Sequence, residues 1–281
     1  MLKQRIITAI VLLAILLPAL FWPDPSAFML IVLVLLAAGG WEFGRLNGLA
    51  PAGAIASGAA CVLLCGLAWW AGLAQQATPT LWLAAAFGWV LGSGYLLWRS
   101  VPGWPQLPRP LRMAGGIAAL CLAWLAAAQA RVIGINFLLS VLVLVWVADI
   151  AAYFAGRRFG LKLTRTKLAP AISPGKSWEG VWGGMVGVLL LGIGWAWADA
   201  AFGARVPSLY SVLAHRSWGL VLIGALFLAA MSVVGDLVES LVKRSAGAKD
   251  SSGLLPGHGG VLDRVDALLP TLPLAMMLAS L

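Results

Sequence analysis

The densest set of side chains able to do chemistry lies between Ser240 and Asp266, in the stretch SLVKRSAGAKDSSGLLPGHGGVLDRVD. Basic and acidic residues alternate there with glycines, and one histidine stands inside a Gly-His-Gly-Gly turn. Carboxylates hold divalent cations, and ammonium and guanidinium groups bind phosphate oxygens. The mixture therefore suits a polyphosphate bound together with a divalent cation. The neighbouring segments are apolar, so an ordinary solvated run of charges is a poor explanation.

Asp263 and Asp266 are three positions apart at the start of the last apolar run, so both carboxylates lie on one helix face. Gly257, Gly259 and Gly260 precede them and allow backbone amides to approach an anion, while the helix N-terminus adds partial positive charge. His258 stands among these glycines, and for it we weigh ligand contact evenly against a structural role.

The apolar run before this stretch ends in VVGDLVESLVKR. Four of its polar residues recur at i, i+3, i+4 and i+7 and so share one face of a helix: Asp236, Glu239, Ser240 and Lys243. Ionisable groups inside a membrane helix are expensive and usually face a functional cavity. A structural ion pair between Asp236 and a neighbouring helix is the alternative. Asp149, in VWVADIAAY, is a similar cavity-facing acid without an assigned role.

A second polar segment, residues 156–177, reads GRRFGLKLTRTKLAPAISPGKS and carries six basic residues and no acid. Its turn SPGKS offers Ser173, Lys176 and Ser177 as donors to phosphate, whereas topology determination and lipid attraction are the generic explanation. The letters GKS are similar to the end of a phosphate-binding P-loop. Pro170 stands where that motif needs a glycine, and no strand is predicted before it, so a P-loop is excluded.

Composition gives the class of protein. About 62% of the residues are apolar and 10% are charged, and the mean hydropathy is +0.95. The chain repeatedly offers runs of about 18 or more residues with few charges, which is the length a helix needs to cross a bilayer. We therefore predict an all-α, polytopic integral membrane protein with nine spans, at residues 5–22, 26–44, 52–74, 80–98, 112–129, 132–152, 178–200, 217–238 and 260–281.

The distribution of basic residues predicts the orientation. With the N-terminus in the cytoplasm, sixteen of the 19 Lys and Arg residues fall on the cytoplasmic side, and Arg131, Arg205 and Arg216 fall outside. This bias predicts a cytoplasmic N-terminus, an external C-terminus and a cytoplasmic Ser240–Asp266 stretch. The net charge of +9 then attracts anionic membrane lipids. No nucleic-acid partner is expected, because the basic residues form no separate domain.

The motif stretch of 27 positions resembles the signature of phosphatidate cytidylyltransferases, also called CDP-diacylglycerol synthases. The resemblance rests on Ser-x-x-Lys-Arg, Lys249-Asp250, His258-Gly259-Gly260 and Asp263-Arg264-x-Asp266. The segments SPGKSWEG at 173–180 and GDLVES at 235–240 resemble the same family. The likeness is detailed in the C-terminal half and extends in outline to the whole chain. Residues 1–130 are then expected to form a lipid-facing scaffold, and residues 131–281 to carry the site within one membrane unit.

The resemblance implies that CTP and phosphatidic acid react to give CDP-diacylglycerol and pyrophosphate, with Mg²⁺ required and a second, monovalent cation such as K⁺ nearby. The implied metal ligands are Asp236 and Asp263, supported by Asp266 and Glu239. Phosphate contacts are implied for the basic residues Lys243, Arg244, Lys249 and Arg264, and supporting substrate contacts for Ser173, Lys176, Ser177, Ser240, Asp250, His258, Gly259 and Gly260. A two-fold dimer is the default assembly.

Two other classes remain open. A CTP-dependent polyprenol kinase or an archaeal-type lipid cytidylyltransferase keeps the nucleotide site and changes the lipid pocket. A transporter of phosphorylated solutes also places charges in a membrane, but transporters usually bind near the midplane and often show inverted repeats. Here the charges cluster at one face and the sequence shows no internal repeat.

The orientation is testable with topology reporters. A reporter that is active only outside the cytoplasm should give signal when it is fused after Leu281, because nine alternating spans place that end outside. The same reporter inserted into residues 156–177 should stay silent, and activity there would contradict the orientation.

Overall fold

The fold is seen in a computed structural model that describes residues 2–281, with side chains from Gln4 onward. Lys3 was counted among the cytoplasmic charges, and its side chain lies outside the described residues. The chain is almost entirely helical, with one short hairpin. The elements in order are α1 Leu2–Phe21, α2 Ser26–Leu46, α3 Pro51–Trp70, α4 Pro79–Gly103, α5 Arg109–Ile133, α6 Ile135–Phe159, β1 Lys167–Ala169, β2 Ser173–Ser177, α7 Trp178–Phe202, α8 Leu209–Arg216, α9 Trp218–Ser245, α10 Leu262–Val265 and α11 Leu268–Ser280.

The long helices confirm the predicted class. Within residues 4–281, eight helices are long and apolar enough to cross a membrane: α1 to α7 and α9. They coincide with the first eight predicted spans, and several of them extend a few residues further. Because each helix satisfies its own backbone hydrogen bonds, this architecture suits a bilayer.

The last predicted span, residues 260–281, is a broken helix. The four-residue α10 ends at Val265, and α11 begins at Leu268. Pro270 has no N–H to donate to the carbonyl of Asp266, so the helix is interrupted there. The break thus lies near the start of this segment, and Pro273 is accommodated inside α11. With 13 residues, α11 is about 20 Å long, shorter than a bilayer core of about 30 Å.

Small residues allow the helices that carry the site to approach closely. On α7, a Cβ added to Gly184 would lie 2.9 Å from the carbonyl oxygen of Ala148, and one added to Gly187 would lie 2.7 Å from the Cβ of Ala151. Such contacts between α6 and α7 are typical of membrane helix packing, where small residues bring backbones together. They set α6 beside the start of α7.

The basic segment 156–177 contains a hairpin that the sequence did not predict. The SPGKS residues, expected to form a turn, are strand β2, which pairs antiparallel with β1 in the register Lys167↔Ser177 and Ala169↔Ser173. Ser177 then caps α7, its Oγ accepting from the Gly180 amide at 3.2 Å. The buried Glu179 accepts hydrogen bonds from the amides of Leu163 (3.0 Å) and Thr164 (2.7 Å). The hairpin is therefore tied to the start of α7.

The opposite end of the bundle contains the short helix α8, which was not predicted. Its N-terminal residues are held by Asp199 of α7, which accepts from the Ser208 amide at 2.8 Å and the Ser211 hydroxyl at 2.6 Å. Asn136 at the start of α6 donates to the same carboxylate at 2.9 Å. These contacts fix the end of the bundle that lies away from the motif.

Candidate active site

The site forms where β2, the end of α9 and the segment after α9 meet. Lys176 of β2 places its Nζ 2.5 Å from Oδ2 of Asp236 on α9. The Ser240 hydroxyl, one turn further along α9, donates to Oδ1 of the same aspartate at 3.2 Å. The SPGKS and GDLVES segments, which are 60 positions apart at this contact, are thus brought together by an ion pair.

Lys243 links α9 to α10. Its Nζ lies 2.5 Å from Glu239 one turn earlier and 2.5 Å from Oδ1 of Asp263. Lys243 is 9% exposed and Glu239 is 7% exposed. Buried charges of this kind are tolerated only when they are paired and hydrogen-bonded. The arrangement therefore holds the end of α9 and Asp263 in one relative position.

Asp263 is further held by backbone and hydroxyl groups. Its Oδ2 accepts from the Ser251 amide and hydroxyl, both at 2.9 Å, and from the Gly260 amide at 2.7 Å. Burial favours the neutral acid, but the hydrogen bonds from Lys243, Gly260 and Ser251 outweigh it and hold the pKa of Asp263 below its ordinary value. Asp263 is therefore an ionised carboxylate in this arrangement.

Glu42 of α2 is the part of the site that sequence reasoning missed. It is fully buried, and its carboxylate accepts from the amides of Val261 (2.9 Å) and Leu262 (2.8 Å) at the start of α10. It also accepts from the hydroxyls of Ser251 at 3.1 Å and Ser252 at 2.5 Å. The one available signal in the sequence was an acid at the end of an apolar run. Because Glu42 belongs to the expected N-terminal scaffold, residues 1–130 also help to build the site.

The glycine turn binds the protein's own carboxylates. Gly257 and Gly259 have φ values of +77° and +82°, and a side chain on Gly260 would collide with Ser251 and Glu42. The predicted approach of these amides to an anion is present, but the Gly260 amide binds Asp263. From α1, Arg5 Nε donates to the Gly257 carbonyl at 2.9 Å. The turn is thus fixed on both sides.

A second group of acids lies beside the first ion pair. A Cβ added to Gly235 would lie 2.5 Å from the Asp266 carbonyl oxygen, so α9 and the helix break meet closely next to Asp236. Asp266 lies between α10 and α11, outside the eight long spans. Burial raises its pKa above the ordinary value, and the neighbouring Asp236 carboxylate adds to the shift. Asp149 of α6 lies within electrostatic range of Asp236, Lys176 and Arg264.

The remaining predicted residues surround this centre. Arg244 donates to the carbonyls of Ile172 at 3.4 Å and Ala248 at 3.2 Å, and so supports the hairpin and the loop after α9. His258 is half-buried, and its Nδ1 has no hydrogen-bond partner within residues 4–281. Ser173 is half-buried in β2. The other three predicted contacts are exposed: Lys249, Asp250 and Arg264.

Comparison with known proteins identifies the family. The profile of the "Cytidylyltransferase family" matches residues 3–281. A protein named phosphatidate cytidylyltransferase from Pseudomonas aeruginosa is 40% identical over 97% of this chain and 95% of its own length. The chain belongs to the cytidylyltransferase family. Proteins with the same name from Haemophilus influenzae (47% identical; 50% of this chain and 44% of theirs) and Brucella suis (43%; 64% and 59%) are also similar.

In this cytidylyltransferase, the arrangement as a whole can hold polyanions at one end of the bundle. The ammonium groups of Lys176 and Lys243 lie at the ends of flexible side chains and contact carboxylates. No three His, Cys, Asp or Glu side chains within residues 4–281 are grouped closely enough to hold a metal ion by themselves. A Mg²⁺ ion needs only one or two carboxylates when substrate phosphates and water complete its shell, and Asp236 with Asp266 meets that requirement.

Replacing Glu42 with Gln tests the anchoring of the turn. The amide side chain places an NH₂ group against N–H donors and removes the charge, so local opening should become easier by about 1.5–3 kcal/mol. Hydrogen exchange at the Val261 and Leu262 amides should then accelerate roughly 10- to 150-fold.

The matched control is Glu179→Gln, which loses a similar set of contacts at the start of α7. It should accelerate exchange at Leu163 and Thr164 and leave Val261 and Leu262 unchanged. Unchanged exchange at Val261 and Leu262 in Glu42→Gln would contradict the anchoring role.

Proposed function

We propose that this protein transfers the cytidylyl group of CTP to phosphatidic acid, forming CDP-diacylglycerol and pyrophosphate. The observation that carries the proposal is the pair of lysine–carboxylate clusters, Lys176–Asp236 and Lys243–Asp263, at one end of a membrane-spanning bundle. A site at that position can receive a nucleotide from water and a lipid from the bilayer. The family membership and the names of the relatives support the same reaction.

The reaction needs no covalent intermediate with the protein. The phosphate of phosphatidic acid attacks the α-phosphorus of CTP, and a bond forms between the lipid phosphate oxygen and that phosphorus. The bond from the α-phosphorus to the oxygen bridging to the β-phosphate breaks, and pyrophosphate leaves with the electron pair. Catalysis then consists of aligning two anions and stabilising the charge that develops on the leaving group.

The lysines supply that stabilisation in our proposal. Without substrate, Asp236 neutralises Lys176, while Asp263 and Glu239 neutralise Lys243. When phosphates bind, each ammonium can turn on its flexible stem toward them and leave its carboxylate free. The carboxylates thus keep both ammonium groups paired until the substrates arrive.

Magnesium is part of the proposal, with Asp236 and Asp263 as its ligands and Asp266 and Glu239 in support. When bound, the ion neutralises phosphate charge on the nucleotide. Asp236 and Asp266 fit this role because they are neighbouring acids whose repulsion a cation relieves. Asp263 has both oxygens engaged, and it joins the ligand set only if Lys243 moves away. A monovalent cation nearby is proposed on the resemblance alone.

The proposed location is the inner membrane of a bacterium, with the site facing the cytoplasm. CTP is available on that side, and the bias of basic residues favours it. The contacts support one shared face, because Arg5 at the start of α1 meets Gly257, and Arg244 at the end of α9 meets Ile172.

Substitutions of the two proposed metal ligands test the function. Asp236→Asn and Asp263→Asn keep the shape of the side chain and remove its charge, so each should abolish CTP-dependent formation of CDP-diacylglycerol. Additional Mg²⁺ should rescue them weakly at best. The measurement is release of pyrophosphate and labelled lipid product from purified protein, CTP and phosphatidic acid.

The control for these substitutions is Asp24→Asn, an exposed position between α1 and α2, which should have normal activity. Wild-type turnover and Mg²⁺ dependence in either test variant would remove that residue from the ligand set. Transfer of phosphate rather than the cytidylyl group to the lipid would favour a lipid kinase.

The basic hairpin generates a separate prediction. Lys176→Ala should lower kcat/KM, because a charge-assisted contact with phosphate is lost. The loss of transition-state stabilisation should be about 1–3 kcal/mol. Arg157→Ala removes an exposed charge whose observed hydrogen bond is to Tyr153 at 3.2 Å, and it should have a much smaller effect. Equal, small effects at both positions would reduce the SPGKS strand to a structural connection.

A further inference from the structure

A large apolar cleft lies beside the site, on the flank of the bundle. Its volume is about 590 Å³, and it is bounded by α2, α4, α5, α9 and α11. Although α4 and α5 are consecutive, α4 packs mainly on α9 and α11, whereas α5 packs mainly on α2 and α11. The two helices therefore diverge and leave the cleft between them. Tyr95 and Leu111 at its edges are 44% and 59% exposed, so it opens sideways.

Three glycines line the cleft and leave the space between its walls open. Gly88 and Gly92 lie one turn apart on α4, and Gly115 lies on α5. A Cβ added to any of them would meet no heavy atom of the described residues within 4 Å. These positions thus do not serve close helix packing, and larger side chains there would fill the space.

Charge is confined to two positions among the described residues that line the cleft, Arg112 and Glu239. Glu239 pairs with Lys243, so the wall of the cleft is shared with the active site. The Arg112 guanidinium lies over the Trp104 ring at 5.7 Å. Its Nε is buried and finds no hydrogen-bond partner within residues 4–281. A buried donor without a partner is costly, and a phosphate or ester oxygen would satisfy it.

We propose that this cleft holds an acyl chain of the phosphatidic acid substrate, with Arg112 binding the polar end of the lipid; the inference rests on the function proposed above. The apolar lining and sideways opening suit a hydrocarbon chain that enters from the bilayer. The volume lies within the range of about 300–1,000 Å³ that is typical of ligand sites. The charge of Arg112 complements the lipid phosphate, and Glu239 in the cleft wall pairs with Lys243, so the cleft adjoins the site.

The test fills the cleft and compares two lipid substrates. Gly92→Leu and Gly115→Leu should raise KM for dioleoyl phosphatidic acid about tenfold, and KM for CTP should change less than about twofold. Dihexanoyl phosphatidic acid, whose chains are short, should be affected much less. Gly94→Leu is the matched control, since Gly94 also has open space around it but does not line the cleft.

Arg112→Gln tests the polar end of the cleft. It should raise KM for both lipids and leave KM for CTP unchanged, because both lipids carry the same phosphate. Equal KM changes for lipid and CTP would remove Arg112 from the lipid site.

Photolabelling tests the cleft without relying on turnover. Phosphatidic acid carrying a diazirine in one acyl chain should label α4 and α5 of the wild-type protein, and labelling should fall at least about fivefold in Gly92→Leu. Wild-type labelling elsewhere, or wild-type KM for dioleoyl phosphatidic acid in both filled variants, would overturn the proposal. If the protein labels in the cleft but makes no CDP-diacylglycerol, the proposed reaction fails and the lipid site stands.

Discussion

The structure around the motif depends on one buried cation. Lys243 is held between Glu239 on its own helix and Asp263 on the segment that follows. Removing one partner of a buried pair leaves an uncompensated charge and is destabilising by about 3–5 kcal/mol. The distance between the end of α9 and the start of α10 is therefore tightly constrained. Polar groups that contact Asp263 on its other side, from Ser251 and Gly260, complete the constraint.

The helix break after α10 follows from the same arrangement. A continuous helix over residues 262–280 would have to hydrogen-bond through Pro270, which has no N–H. The break instead places the Asp266 carbonyl against Gly235, where only a glycine leaves enough room. Asp266 and Asp236 become neighbours as a consequence. One proline and one glycine thus bring the two acids together.

The sequence was sufficient for the parts of the fold that have a local signal. Helical periodicity placed Asp236, Glu239, Ser240 and Lys243 on one face. Long apolar runs predicted nine spans, of which the structure has eight as long helices within residues 4–281 and the ninth as a broken helix. The sequence did not reveal the partners of Glu42 and Glu179, because those contacts join segments that are distant in sequence or lie in loops. The hairpin β1–β2 is too short to show a strand pattern, and α8 is a short helix in a segment expected to be a loop. The role of each site residue stays a prediction.

The contacts of Arg5 and Glu42 with the glycine turn and the start of α10 have a consequence for biosynthesis. Arg5 meets a carbonyl 252 positions later, and Glu42 meets an amide 220 positions later. At about 5–20 residues per second, α1 leaves the ribosome roughly 10–50 s before the turn that it holds has been made. During that interval Glu42 is an acidic side chain without its partners, and water at the membrane surface must take their place. The contacts of Glu42 with the turn can therefore form only after Leu262 has been synthesised.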